Sequence, residues 1–119
     1  MQNLKIKDRT YQYSIKIIQF LDTLPKDFSS RVISDQLIRS ATSVGANVVE
    51  AQACNSRRDF TNFITYSLKS ANESLYWLGL LRDAKKVESS DLKCLFQETK
   101  ELTNILGASL LSLKGKNRF

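Results

Sequence analysis

Apolar side chains along this chain recur at three- and four-residue steps, and no segment shows the two-residue alternation of a strand. From about 8 to 24 two such stripes run in parallel, Tyr11–Ile15–Ile18 and Tyr13–Ile17–Phe20–Leu24. Pro25 ends that helix, because it lacks a backbone donor and pushes the preceding residue out of helical geometry. A second helix, capped by Ser29 or Ser30, spans about 30 to 54 and carries Ile33, Leu37, Ala41, Val44 and Val48 on one side. Asn55 suits a left-handed break, and Ser56 followed by Asp59 opens a third helix over about 57 to 84. Its inward stripe reads Phe60, Ile64, Ser67, Ala71, Leu75 and Leu78. A polar link, KKVESSDL, precedes a fourth helix over about 90 to 113, built on Leu92, Leu95, Phe96, Leu102, Leu106, Leu110 and Leu113.

Four helices of similar length joined by short links fold neighbour against neighbour, so the expected fold is all-α. It is an antiparallel up-down-up-down four-helix bundle, one domain over residues 1–119. That topology decides which distant segments share an end. The start of helix one, the end of helix two, the start of helix three and the end of helix four come together. They bring Lys5, Lys7, Arg9, Arg57, Arg58, Lys114, Lys116 and Arg118 against Asp8, Glu50 and Asp59, a net of +5 out of +6 for the whole chain. The opposite end balances. Arg57 and Arg58 stand in the first turn of a helix, where each cation opposes the macrodipole at about 0.3–1 kcal/mol. A doubled arginine in that position is either a pair of solubilising charges at a loop edge, with Asp59 offsetting one of them, or part of an electrostatic footprint for a phosphate backbone.

Composition narrows the remaining choices. There is no His, which removes the commonest general base and metal ligand, and there is no Gly-rich phosphate loop, nucleophile elbow or zinc spacing. Cys54 and Cys94 fall near opposite ends of the expected bundle, so they do not form a redox pair within one chain. The reading is therefore a non-enzymatic protein with no cofactor and no metal. No stretch approaches the roughly 18–20 apolar residues of a membrane span, and no signal-type segment follows the basic N-terminus, so the expected location is the cytoplasm, with no membrane partner.

The stretch RSATSVGANVVEA, from Arg39 to Ala51, resembles the R-x-A-x-S-[IV]-x-x-N-[IV]-x-E signature of the 23S rRNA intervening-sequence proteins, also called S23 ribosomal proteins. In RRDFTNFITYSLKSANESLYWL, Phe60, Phe63, Ser70 and Glu73 fall in register with the family's next helix. Ala51 stands where many members have Gly, which implies a straighter or longer end to helix two. The resemblance implies a four-helix bundle that assembles into a homopentameric ring and has no established enzymatic activity. A related branch, the accessory protein of diversity-generating retroelements, binds a reverse transcriptase and nucleic acid. RNA, DNA, a reverse transcriptase and further copies of the chain are the partners so implied.

Two expectations about surfaces follow. Helix one is apolar over more than one core-facing stripe, so Tyr13, Ile17, Phe20 and Leu24, with Tyr66, Trp77 and Leu80 of helix three, are assigned to a self-association interface. Arg39, Ser43, Asn47 and Glu50 follow one another at helical steps and, with Glu73, are assigned to a partly buried hydrogen-bond set that fixes helix pairing or subunit register. A ring of five would collect roughly +25 on one rim, enough for steeply salt-dependent binding. The function expected is a non-catalytic, RNA-linked nucleic-acid-associated ring. The alternative is a protein–protein adaptor for a nucleoprotein or polymerase.

Overall fold

The computed structural model describes residues 5–117, with side chains described as far as Gly115. Four helices, α1 (Ile6–Leu21), α2 (Phe28–Gln52), α3 (Arg57–Asp83) and α4 (Ser90–Asn117), account for nearly all of them, and no strand occurs among the described residues. Their ends follow from local chemistry. Asp27, one residue ahead of the serines expected to cap α2, accepts the Ser30 N–H at 3.4 Å. Ser56 accepts the Asp59 N–H at 3.1 Å to start α3, and Ser89 accepts the Leu92 N–H at 3.1 Å at the start of α4. α3 closes without a glycine. Lys85 takes the left-handed conformation (φ 57°), while Lys86 and Lys85 donate to the carbonyls of Leu81 and Arg82.

Consecutive helices pack side by side and α4 returns to α1, closing a square in which neighbours run antiparallel. Three buried cross-links fix the register. Ser67 Oγ donates to the Val44 carbonyl at 2.7 Å, the Ser40 and Ser74 hydroxyls meet at 2.8 Å, and Tyr13 Oη meets Thr99 Oγ1 at 2.7 Å. Small residues at these points let backbones approach. A side chain on Gly45 would stand 3.1 Å from Thr10 Oγ1 and 3.3 Å from the Thr10 carbonyl oxygen, so the α1–α2 crossing depends on that glycine. The core is otherwise Leu, Ile, Val and Ala, with Ile17, Leu37, Val44, Val48, Leu78, Leu81 and Leu102 fully buried. Ala51 is also fully buried inside α2, whose helix ends one residue later.

The assignment of α1 is corrected by its rotation. Tyr13, Ile17, Phe20 and Leu24, expected at an oligomer interface, form the core face. Tyr11 and Ile18, expected inside, are 66% and 41% exposed. Both stripes are apolar and equally helical in spacing. What separates them is the Tyr13 hydroxyl, which finds Thr99 in the core and so can be buried satisfied. On α3 the expected outward residues divide: Tyr66 is exposed, while Trp77 and Leu80 are half-buried. α4 also runs four residues beyond the expected end at 113.

Candidate nucleic-acid interface

The buried cross-links allow positions along the bundle to be compared. Tyr13 is level with Thr99, and Val44 with Ser67. At a rise of about 1.5 Å per residue, Lys5 lies ~12 Å from the first of these links, Lys114 ~22 Å from it, and Arg57 ~15 Å from the second, all toward the same end. These cations therefore lie toward one end but at different levels, with Lys114 on α4 farther out along the axis than Lys5 on α1. Lys5, Lys7, Arg57, Arg58 and Lys114 are all exposed, and among the described residues none of them makes an ion pair. Asp8, Glu50 and Asp59 stand on the same end. Arg118 lies outside the described residues, as does the side chain of Lys116.

Arg9 does not belong to this set. Its guanidinium turns across to α4, where Nε and Nη2 donate to the two Glu98 carboxylate oxygens at 2.8 and 2.7 Å, and Nη2 also reaches Glu101 at 2.7 Å. Only 26% of its side chain is exposed, and the hydrogen bonds to Glu98 push its pKa above the ordinary arginine value. In return Arg9, with help from Gln97, holds the Glu101 carboxyl below the usual range. The sequence signal was the placement of Glu98 and Glu101 on α4 one turn apart, opposite an arginine on the helix that α4 packs against. It becomes readable only once the register is known.

The polar stripe of α2 does not act in helix pairing, one of the two roles expected of it. Arg39 pairs with Asp35 at 3.1 Å, Ser43 Oγ donates to the Arg39 carbonyl, and Asn47 donates to the Ser43 carbonyl, both at 2.8 Å. Glu50 is exposed, and Glu73 accepts from Trp77 Nε1 at 2.9 Å. Every one of these bonds stays within a single helix, so the set does not pair helices. Pairing is done by the hydroxyls of Ser40, Ser67, Ser74, Thr99 and Tyr13, none of which the sequence assigned to that role.

The described residues include no group of three or more His, Cys, Asp or Glu side chains placed to hold a metal ion. No described helix is long and apolar enough to cross a membrane. Burial pushes the Cys54 thiol up, away from thiolate reactivity, and its Sγ lies 3.2 Å from the Glu50 carbonyl oxygen.

An all-α bundle with a polar-pinned core and one cationic end is the class these features define. The chain belongs to the 23S rRNA-intervening sequence protein family, which it matches over residues 2–108. It is also similar to a solved protein of unknown function from the S23 ribosomal protein family of Bacteroides thetaiotaomicron VPI-5482. The two are 31% identical and superpose with a TM-score of 0.81, over 89% of this chain and 98% of that one. No functionally curated protein matches the chain.

Proposed function

We propose that this is a non-catalytic, ring-forming, RNA-linked protein that holds phosphate backbones on the stepped basic end of its bundle. The observation that carries the reading is the set of five exposed cations, Lys5, Lys7, Arg57, Arg58 and Lys114, without an ion pair among the described residues and delivered to one end by three separate chain segments. Arg57 and Arg58 oppose the α3 dipole there, and an approaching phosphate reverses that penalty. Contacts of this kind position a backbone without reading bases, so affinity depends on strand charge more than on sequence.

Self-association into a ring is supported by the apolar side chains left outside the core. Tyr11 and Ile18 of α1 and Val49 of α2 lie on one side, and Tyr66 and Tyr76 are exposed on α3. A closed ring joins unlike faces of neighbouring copies, here the α1–α2 face of one against the α3 face of the next, and sets every basic end on one rim. Five copies is the family-based expectation.

Titration of the purified protein with structured RNA, single strands and duplex DNA at two salt concentrations tests the binding. The expected result is affinity that falls with salt and is largely lost in Arg57→Glu/Arg58→Glu. Absence of binding at low salt contradicts the proposal and favours a protein partner for the same end. Sedimentation equilibrium tests the ring, which a monodisperse monomer rules out.

A further inference from the structure

We propose a second binding site, for a phosphorylated nucleoside, in the groove between the end of α3 and the start of α4. This groove, of about 690 Å³, is at the opposite end of the bundle from the cations discussed above. Lys93, Phe96 and Lys100 are spaced three and four residues apart, so they form one stripe along α4, with the lysines ~10 Å apart along the axis. Lys100 Nζ lies 5.7 Å from the centre of the Phe96 ring, and the Arg82 guanidinium reaches over from α3 to 4.6 Å from it. Asp83 fixes that guanidinium in place, accepting from Nε at 2.8 Å and Nη2 at 3.2 Å. Among the described residues lining the groove Glu88 is the sole carboxylate, against Arg82, Lys93 and Lys100. Among the described residues neither lysine makes an ion pair.

Covering a half-buried phenylalanine takes one cation. Arg82 and Lys100 both stand over this one ring and Lys93 lines the same groove, and Glu88 with the Asp83 partner of Arg82 offsets only part of their mutual repulsion. An anion relieves that repulsion, and the fixed guanidinium with the ring edge offers a flat surface on which a base stacks. Phosphate for the lysines and a planar base for Arg82 and Phe96 are both supplied by a nucleotide, whether free or as part of a single strand. Lys100 is fourteen residues from Lys114, ~21 Å along α4, so this site functions whether or not the basic end binds anything.

Amide NMR spectra of the intact chain, titrated with AMP, adenosine, inorganic phosphate and a 5′-phosphorylated tetranucleotide, test the site. Shifts on AMP addition are expected to cluster at Arg82, Val87, Lys93, Phe96 and Lys100. AMP is expected to bind at least about tenfold more tightly than adenosine or phosphate alone. In the Arg57→Glu/Arg58→Glu background, with binding read at the groove amides, tighter binding of the tetranucleotide than of AMP identifies a strand as the source, and equal binding identifies the free nucleotide. Lys93→Gln/Lys100→Gln, exposed changes that leave the spectrum folded, reduce AMP affinity by about tenfold. Phe96→Leu brings AMP down to the level of phosphate. Arg57→Glu/Arg58→Glu leaves AMP binding unchanged, which separates this site from the basic end. The proposal is overturned if about 5 mM AMP moves none of these amides, if phosphate matches AMP, or if an acidic peptide binds the groove more tightly than AMP does.

Discussion

Lys85 and Gly45 show how single residues set the geometry of the bundle. Lys85 holds the left-handed position that ends α3, a conformation that costs an L-residue about 1 kcal/mol and a glycine almost nothing. Lys85→Gly is therefore expected to raise stability by about 0.5–1 kcal/mol, read as a higher urea midpoint with an unchanged slope. Gly45 works in the opposite sense. A methyl group there gains about 1 kcal/mol of helix propensity but meets Thr10, whose Oγ1 is already bonded to the Ile6 and Lys7 carbonyls at 2.8 and 3.1 Å. Overpacking against that fixed neighbour costs about 1–3 kcal/mol, so Gly45→Ala is expected to lose about 1 kcal/mol net in the same assay. Neither effect is visible in the pattern of apolar positions. The position of the break after α2 could be read from Asn55 and Ser56, but the left-handed conformation expected at Asn55 is found at Lys85 instead, and a lysine in a glycine position could not be read.

Among the helix pairs, α1 against α4 has the least packing, and polar groups do much of the pinning there. Arg9 binds Glu98 and Glu101, and Tyr13 meets Thr99 just below. Arg9→Gln is expected to cost about 1–2 kcal/mol, since a two-pronged, partly buried pair exceeds an ordinary surface pair, while leaving polyanion affinity within about twofold of the parent. The seam also dictates behaviour at both ends of the pH range. Because the folded Glu101 carboxyl lies below its unfolded value of about 4.3, its contribution is present above that value and is lost as pH falls through the folded one. Burial pushes Tyr13 up to about 12, so its contribution is complete below pH ~10, where unfolded tyrosine begins to ionise, and is lost between ~10 and 12. Urea midpoints across pH should show both limbs, with the acid limb flattened in Arg9→Gln and the alkaline limb flattened in Tyr13→Phe. The four helices, their order and most of the α2, α3 and α4 core stripes are legible in the sequence because apolar spacing encodes them. The rotation of α1 is not, because both of its stripes are equally apolar and the partner that decides between them, Thr99, is 86 residues away.

At the scale of the whole molecule, an antiparallel square some 52 Å long brings remote segments to common ends. This made the basic end predictable from the order of the helices alone. Its strength was not, since Arg9 spends its charge on α4 and the remaining cations occupy a stair instead of a flat face. The central claim is that the placement of charge, beyond its amount, makes this end a polyanion site. It is tested most directly by the salt dependence of RNA binding in two variants of equal net charge, Arg57→Glu/Arg58→Glu at the basic end and Lys26→Glu/Arg31→Glu at the opposite end. For a single strand each neutralised phosphate contributes about 0.7 to the slope of log K against log salt. The account predicts a slope reduced by about 1.4, with weaker binding, in the first variant, and a slope close to the parent's in the second. Equal losses in both would mean that RNA responds only to total charge, and would contradict the claim.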